Sequence, residues 1–574
     1  MTNKTTIDRV SSFLTSKSKV LILHGPTSSG KTTSIPYIRQ LGFDNNFSKV
    51  EVFIYSNRLR NNMLRQNPDF HYIKSIYAAI FDFQDEKVNS DIKRFIPLKE
   101  IRQDDRGKKN LYIIDDSQLF NNSYKDTNLV RFGTGYLLDD IFTYFNLENN
   151  PDSKVIFIGD KNKLSYGPES KCALNSSYLQ GLLNNRKINS DICQIELEKS
   201  KVDSEIVRVC QQVSGSIERN KYNNLIISNK DDISLLSKND YLDALKDSYL
   251  NPFNTKILAY SNKMAAETNS WIKNNLAQNG KEINAGDFII FSANSNAYLR
   301  SKDNEEPKIK RISNGLYGAV TSVDYNSQLA AKVMLENGQE VELSFIPAHI
   351  TLEDGDEVEV FVFENYLKSN SGEISDEELS AYRIILSRLE KQSVASAVND
   401  RYFKVRNAVI IKYAWCMTVN SAMANVFDKV YLNTDMEGLD RNNPHYYKWL
   451  YTGISTARKS MNLLNWKAIT PYYKTKFNPV SNYHPIGNDK EISSEDSIMK
   501  EEFDYLKDIL KENSIITSSQ KSYHFHTIFE FIKSEKRLLL KFGFSSEGFV
   551  DYIDVLEGDL SLFTEIKKII ENIG

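Results

Sequence analysis

The chain has 574 residues, too many for one hydrophobic core, so we expect several domains. Its 41% hydrophobic and 26% charged residues are typical of a globular protein, and no apolar stretch is long enough to span a bilayer. Its net charge of −3 argues against a protein coated in positive charge, and the first residues lack signal-peptide features, so we expect a cytoplasmic protein with no membrane partner.

The first 200 residues alternate short apolar runs with helical or loop segments. The runs VLILHG, VEVFIYS, LYIIDD and KVIFIGD are typical of buried strands. Their alternation with helical segments predicts a parallel sheet flanked by helices.

A phosphate-binding loop pattern, Gly25-x-x-x-x-Gly30-Lys31-Thr32, follows the first of these strands and opens a helix. Its glycines let backbone N–H groups turn toward a polyphosphate. We expect Lys31 to reach the β- and γ-phosphates and Thr32 to hold Mg²⁺. The predicted ATP-binding residues are Gly25, Pro26, Thr27, Ser28, Ser29, Gly30, Lys31, Thr32 and Thr33.

Two further strands end in carboxylates at the same predicted sheet edge. The run LYIIDD ends in Asp115 and Asp116, and KVIFIGD ends in Gly159 and Asp160. Beside a phosphate loop, Asp115 is placed to hold the magnesium ion through water, and Asp116 to orient or deprotonate an attacking water.

A second group of strands and an insertion follow. KILAY, AVIIKY (residues 408–413) and KVYLN predict a second α/β sheet. Between them, about residues 286–395, short strands and an Asn337-Gly338 turn predict a small β-barrel, followed by a helix that Ser375 and Glu378 cap. The tail predicts a helix, aromatic strands and a final helix.

The order of these motifs resembles the superfamily 1 helicases. The phosphate loop, Asp115-Asp116-x-Gln118 and Gly159-Asp160-x-x-x-Leu164 match that family's first motifs, and YTGISTAR at residues 451–458 resembles its final motif. NGLYGAV at residues 314–320 resembles the start of the SH3-like barrel in the RecD/Dda-like branch.

This resemblance implies an α/β fold with two RecA-like P-loop domains in tandem, an inserted SH3-like β-barrel and a C-terminal α+β domain. The implied boundaries are 1–195 for the first domain, with a small hairpin insertion at 82–110 that includes Lys93 and Arg94. The second domain takes 196–285 and 396–477, the barrel and its helix 286–395, and the accessory domain 478–574.

The resemblance also implies a strand of nucleic acid lying across both domains. The positions it nominates for contacts with that strand are Ser56, Asn57, Ser75, Tyr77, Tyr166, Thr418, Asn420 and Ser421. A capped turn or a packed tyrosine is an open alternative at each of them.

The chain departs from the family pattern where the chemistry occurs. Asp116 stands where the family has glutamate, Lys163 replaces a glutamine, and Lys199 replaces an arginine. Thr456 takes the position of the final arginine, and Arg458 lies two residues further on. Arginine holds a transferring phosphoryl group with a bidentate fork, whereas lysine is a point charge. The catalytic candidates are Lys31, Asp115, Asp116, Lys163, Lys199 and Arg458.

The resulting hypothesis is an ATP- and Mg²⁺-dependent translocase or helicase, a monomer that moves 5′ to 3′ on single-stranded DNA, with RNA an open alternative. A degenerate motor that binds ATP and nucleic acid with little turnover is the alternative that the replaced arginines favour. Residues 487–574 carry a net −7, which disfavours direct contact with phosphates. Their aromatic strands are therefore expected to form either a folded core with a solvated acidic face or a docking surface for a protein partner.

Overall fold

We describe a computed structural model of the chain. It describes residues 4–83, 98–101, 108–125, 131–198, 204–278, 280, 282–300, 308–369, 374–391, 396–479 and 490–573. The chain divides into two compact units. The first comprises Met1–Gln211, Lys230–Met436 and Lys448–Asn465, and the second comprises Gln212–Asn229, Glu437–Tyr447 and Trp466–Gly574.

A six-stranded, wholly parallel sheet begins the first unit. Its order is Ile73–Ser75, Lys49–Ile54, Asn110–Ile114, Lys154–Gly159, Val20–His24 and Ile192–Glu196. The central strands are apolar and buried throughout, as expected of a sheet covered on both faces. The accompanying helices are Lys4–Thr15, Lys31–Asp44, Asn57–Gln66, Ile76–Ile80, Leu137–Phe145 and Ser176–Asn185. The prediction of a parallel sheet in this region is confirmed.

A small three-stranded sheet lies within the same stretch of chain. It consists of Phe81–Phe83, Leu98–Ile101 and Arg131–Phe132. Of the predicted hairpin at 82–110, Lys93 and Arg94 lie outside the described residues.

A second parallel sheet, of five strands, belongs to the same unit. Its order is Ile233–Leu236, Ala457–Leu464, Phe427–Asn433, Thr255–Ala259 and Cys416–Thr418. The helices in this part of the sequence are Glu205–Glu218, Tyr241–Leu250, Asn262–Ile272, Val419–Ala422 and Pro444–Ile454.

An antiparallel sheet is built by the insertion. Its order is Ile309–Ile312, Ser295–Leu299, Glu357–Phe363, Glu340–Leu352, Tyr317–Val323, Phe288–Phe291 and Ile411–Tyr413, and Leu329–Met334 pairs with Glu340–Leu352. The helices that accompany it are Glu364–Lys368, Asp376–Lys391 and Ser396–Arg406.

One strand prediction is wrong. The sequence pattern predicts residues 408–413 in the second α/β sheet, but Ile411–Tyr413 pairs antiparallel with Phe288–Phe291 in the sheet of the insertion. The position beside Thr255–Ala259 is taken instead by Cys416–Thr418, a few residues further along the chain.

The C-terminal part of the second unit contains a five-stranded sheet. Its order is Lys476–Asn478, Val550–Gly558, Lys536–Phe544, His526–Lys533 and Ile516–Ser522. Helices Lys500–Glu512 and Leu560–Ile573 share one hydrophobic core with the sheet. In the described part of the chain, no helix combines the length and the hydropathy that a membrane crossing requires.

Candidate functional site

The phosphate loop joins the strand Val20–His24 to the helix Lys31–Asp44. Gly30 has a φ of +89°, in the left-handed region that glycine adopts without strain. Gly25 is closely packed, because a Cβ atom there would lie 2.8 Å from the Cβ atom of Leu197. Both glycines therefore have a structural reason to be glycine.

The ammonium group of Lys31 lies inside this loop. Its Nζ donates hydrogen bonds to the carbonyl oxygens of Gly25 and Pro26, at 2.7 and 2.5 Å. It also lies 3.7 Å from Oδ2 of Asp160. Burial lowers the pKa of Lys31, and Asp160 offsets part of that effect. A polyphosphate would offer this ammonium group better acceptors than two neutral carbonyls.

The carboxylates predicted to act on magnesium and water follow the strand Asn110–Ile114. The Thr32 hydroxyl donates to Oδ2 of Asp115 at 3.1 Å, so the two oxygens that could hold Mg²⁺ are already adjacent. Burial and the neighbouring charge of Asp116 raise the pKa of Asp115 to about 7. Oxygen ligands of this kind suit Mg²⁺, and the ion's charge would oppose that shift.

Gln118 links the two carboxylate-bearing strands. Its Nε2 donates to Oδ1 of Asp116 at 2.9 Å, and its Oε1 accepts the backbone N–H of Asp160 at 3.1 Å. Gly159 is needed beside it, because a Cβ atom there would lie 2.6 Å from that Oε1. This glutamine therefore sets the relative positions of Asp116 and Asp160.

A tyrosine from the second half of the unit reaches the phosphate loop. Tyr451, on helix Pro444–Ile454, donates its hydroxyl to Oδ2 of Asp160 at 2.8 Å and accepts the backbone N–H of Thr27 at 2.7 Å. Sequence reasoning did not select Tyr451, although it is the first residue of the YTGISTAR segment. Its contact with the loop comes from tertiary packing, which the motif alone does not reveal.

The other catalytic candidates differ in where they lie. The Lys163 backbone N–H donates to the Asp160 carbonyl at 3.3 Å, and the Lys163 charge contributes to the lowered pKa of Lys31. Lys199 lies outside the described residues. Arg458 is exposed, and its Nε donates to Oδ1 of Asp428 at 2.9 Å. Among the described residues, no hydrogen bond or ion pair joins Arg458 to the phosphate loop.

Six of the eight nominated nucleic-acid positions line two cavities. Ser56, Asn57, Ser75 and Tyr77 line one of about 260 Å³. Thr418 and Ser421 line a groove of about 590 Å³. Tyr166 packs 5.0 Å from the ring of Tyr55, which itself lines the first cavity. Asn420 is exposed and is not part of the described lining of either cavity.

Several of these side chains also have structural roles. The Ser56 hydroxyl accepts the Leu59 N–H and caps helix Asn57–Gln66. The Thr418 hydroxyl accepts the Ser421 N–H at 3.1 Å in the same way. The capped-turn alternative therefore describes these two hydroxyls well.

Two cations of the larger groove were not selected from the sequence. Arg58 packs against Gly315, where a Cβ atom would lie 1.8 Å from Cγ of the arginine. The Lys412 Nζ lies 5.3 Å from the centroid of the Tyr366 ring. Within the described part of the chain, neither cation has a carboxylate partner. The signal for Arg58 was its place beside Asn57, in a segment already nominated.

The sequence matches no family model and no curated protein. The structure is similar to solved structures of Pif1 helicases. The helicase from Candida albicans is 12% identical, with 81% of this chain and 95% of that chain covered, at a TM-score of 0.37. A Bacteroides Pif1 helicase in complex with ADP-AlF3 and ssDNA is 11% identical, with 81% and 92% covered, at 0.35. A Bacteroides sp Pif1 in complex with ADP-AlF4 is 12% identical, with 82% and 93% covered, at 0.33.

Proposed function

We propose that this protein is an ATP-driven translocase or helicase that acts on single-stranded DNA. The observation that carries the proposal is the contact of Tyr451 with Asp160 and Thr27, because it brings the helix Pro444–Ile454 onto the phosphate loop. A nucleotide bound in that loop would displace or reshape this contact. Occupancy of the loop would then change how the two sheet-bearing halves are held together.

A second hydrogen bond joins the helix Pro444–Ile454 to the half of the unit that carries the phosphate loop. The Thr452 hydroxyl accepts the backbone N–H of Leu164 at 2.9 Å, next to the Tyr451 contact. Consecutive residues of one helix therefore bond to two positions that follow the strand Lys154–Gly159. Movement of that helix on nucleotide binding would therefore change both hydrogen bonds, and with them the contact between the two sheet-bearing halves of the unit.

The groove and the smaller cavity supply a path for the polynucleotide. Both are lined by Asn314, so they meet at that residue. Arg58 and Lys412 line the groove with no carboxylate partner among the described residues, which leaves their charge available to phosphates. Polar side chains, an arginine and aromatic rings along one path suit a single strand bound with little sequence preference.

The proposed chemistry assigns one role to each residue of the site. Lys31 and the loop amides hold the phosphates, while Thr32 and Asp115 hold Mg²⁺, which when bound neutralises phosphate charge. Asp116 orients or deprotonates the attacking water, and Lys163 adds positive charge near the γ-phosphate. We include Lys199 in the same role as Lys163.

The finer architecture belongs to the same proposal. We propose that the two parallel sheets are RecA-like domains, that the antiparallel sheet is an SH3-like barrel, and that residues 478–574 form an accessory α+β domain. The 5′ to 3′ direction, DNA rather than RNA, and the strand-separating role of the segment at 82–110 rest on the resemblance of the sequence motifs.

Steady-state ATP hydrolysis, with and without a single-stranded oligonucleotide, tests the proposal. We expect the rate to rise several-fold when the strand is added, and we expect Lys31→Ala to abolish that rise. Lys332→Ala, which removes an exposed lysine, is the matched control and should behave as the wild type. Equal rates with and without the strand, from folded protein that binds ATP, would contradict the proposal.

A binding module with little turnover is the second candidate, and the position of Arg458 favours it. The guanidinium is paired with Asp428, and Thr456, at the family's arginine position, is buried with its hydroxyl donating to the Gly453 carbonyl. This candidate predicts ATP-dependent tightening on the strand with negligible hydrolysis. Turnover of about 1 s⁻¹ or faster would exclude it. If turnover is found, Arg458→Ala reports whether that arginine moves to the phosphates.

A further inference from the structure

Four aromatic residues, Tyr55, Tyr77, Phe81 and Phe132, form one wall of the smaller cavity. Tyr77 lies at the centre of the wall, with ring centroids 5.4 Å from Tyr55, 4.9 Å from Phe132 and 5.9 Å from Phe81. The hydroxyl groups of Tyr77 and Tyr55 are hydrogen-bonded at 3.2 Å, which fixes the two rings relative to each other. These rings come from separate segments of the chain, so tertiary packing brings them together to form the wall.

A cation stands at the edge of this wall. Lys125 Nζ donates to the Tyr55 hydroxyl at 3.3 Å and lies 5.2 Å from the centroid of the Tyr166 ring. Among the described residues it has no carboxylate partner. Asp140 also lines the cavity, but its carboxylate accepts hydrogen bonds from the hydroxyl and the backbone N–H of Thr134. Lys125 is therefore the cation that this cavity offers to an anion, and Thr134 holds the Asp140 carboxylate through two hydrogen bonds.

Side-chain amides complete the rim of the cavity. Asn57 and Asn314 both line it, and their side-chain amides have no hydrogen-bond partner in the described part of the chain. Asn294 holds the second of them in place, because its Oδ1 accepts the Asn314 backbone N–H at 2.8 Å. Amides offer both donors and acceptors, as the edge of a nucleobase does.

We propose that this cavity binds one unstacked nucleobase of the single strand, stacked on the face of Phe132 and in edge-to-face contact with Tyr77, whose ring is inclined by 68° to that of Phe132, with Lys125 on an adjoining phosphate. The proposal rests on the proposed function and deepens it, because it requires the bound nucleic acid to be single-stranded, with unpaired bases that can leave the stack. Asn314 lines both the cavity and the larger groove, so a strand in the groove passes the mouth of the cavity. Aromatic side chains that stack on bases accept every base, so the expected gain is in affinity for a base of any kind.

Binding of two matched oligonucleotides to the full chain tests the proposal. One is oligothymidylate and the other has the same length and backbone with abasic sites throughout. The wild type should prefer the strand with bases. Phe132→Ala should weaken binding of that strand by about fivefold or more and leave the abasic strand unaffected, because one stacking contact is worth about 1–3 kcal/mol. Tyr37→Ala, which removes an exposed aromatic side chain from the helix Lys31–Asp44, is the control.

Lys125→Met separates the phosphate contact from the base contact. It should weaken both strands by the same factor and reduce the salt dependence of binding by about one counterion. Thermal melting of each variant, compared with the wild type, shows whether the fold is retained. Equal weakening of both strands by Phe132→Ala in folded protein would overturn the base pocket.

A photo-crosslinking measurement on the wild type avoids the risk of a misfolded variant. A strand that carries 5-iodouracil should crosslink to a peptide containing Tyr55, Tyr77 or Phe132. Crosslinks confined to other peptides would overturn the proposal. Failure of the wild type to bind any single strand would instead refute the proposed function, so the two failures are distinguishable.

Discussion

The hydroxyl of Tyr451 lies 2.8 Å from Oδ2 of Asp160, and both groups are buried. The same hydroxyl accepts the backbone N–H of Thr27, one of the loop amides expected to face a phosphate. A side chain from a distant part of the sequence therefore occupies a donor of the phosphate loop. Burial and the nearby Asp160 charge raise the pKa of Tyr451, so the hydroxyl keeps its proton for this contact.

Replacing Tyr451 with phenylalanine should destabilise the nucleotide-free protein. The change leaves the Asp160 carboxylate short of a donor and the Thr27 N–H without its acceptor, at a cost of about 1–3 kcal/mol. Tyr447→Phe is the matched control, because the Tyr447 hydroxyl is buried without a hydrogen-bond partner among the described residues. Urea unfolding of the two variants should show a loss of unfolding free energy only for Tyr451→Phe; equal losses would mean that the bridge contributes nothing.

Gly159→Ala should impair nucleotide binding as well as stability. The new Cβ atom would lie 2.6 Å from Oε1 of Gln118 and 2.9 Å from Cδ1 of Leu174, so it would displace the glutamine that positions Asp116. Gly181→Ala is the control, since its Cβ atom meets nothing within 4 Å inside a helix.

We expect the control to gain about 0.5–1 kcal/mol from its higher helix propensity. Thermal melting and the affinity for a fluorescent ATP analogue measure both effects. Unchanged ATP affinity in Gly159→Ala would show that Gln118 does not position the site.

A buried ion pair connects the helical region after Asn262–Ile272 to the antiparallel sheet. Lys273 Nζ lies 2.5 Å from Oδ2 of Asp287, and both side chains are at most 2% exposed. Lys273→Met should cost about 3–5 kcal/mol of unfolding free energy, because it leaves a carboxylate buried without its cation. Lys332→Met removes an exposed lysine and should cost less than about 1 kcal/mol. Chemical denaturation compares the two, and similar costs would contradict the role of burial.

Lys154 should give the protein a pH dependence in the alkaline range. Burial lowers the pKa of Lys154 to about 8, although its Nζ donates to the carbonyl oxygens of Ser16 and Ser18. Between about pH 8 and the unfolded value of 10.5, the unfolded chain binds more protons than the folded chain does. The free energy of unfolding should therefore rise with pH in that window.

The rise should be missing in Lys154→Met and present in Lys17→Met, which changes an exposed lysine. Melting temperatures measured from pH 7.5 to pH 10.5 would show the difference between the two variants. Parallel curves for Lys154→Met and the wild type would mean that burial does not shift this lysine.

Local patterns predicted several elements well because their causes are local. The helix Asp376–Lys391 starts after Ser375, and the reciprocal bonds between Ser375 and Glu378 form the capping box that the sequence indicated. Gly338 has a φ of +81° in the turn that Asn337 opens, as that hairpin signal requires. In both cases, residues a few positions apart contain all the information.

Patterns failed where a distant partner decides the outcome. Residues 408–413 form an apolar run that suits either kind of sheet, and the pairing of Ile411 with Phe291 settles which one. The contact of Tyr451 with the phosphate loop and the pairing of Arg458 with Asp428 depend on tertiary packing in the same way. Arg458 stays a catalytic prediction. To reach the phosphates, its guanidinium would first have to leave Asp428 through a change in the contact between the two sheet-bearing halves.

The second parallel sheet can be completed only late in the synthesis of the chain. Every strand of the first sheet has been made once the ribosome has passed residue 196. In the second sheet, Ala457–Leu464 lies between Ile233–Leu236 and Phe427–Asn433, so the nascent chain must carry unpaired strands until the whole insertion has emerged. Unpaired strand edges can bind other chains, so this half of the molecule is exposed to wrong association for longer during translation than the first sheet is.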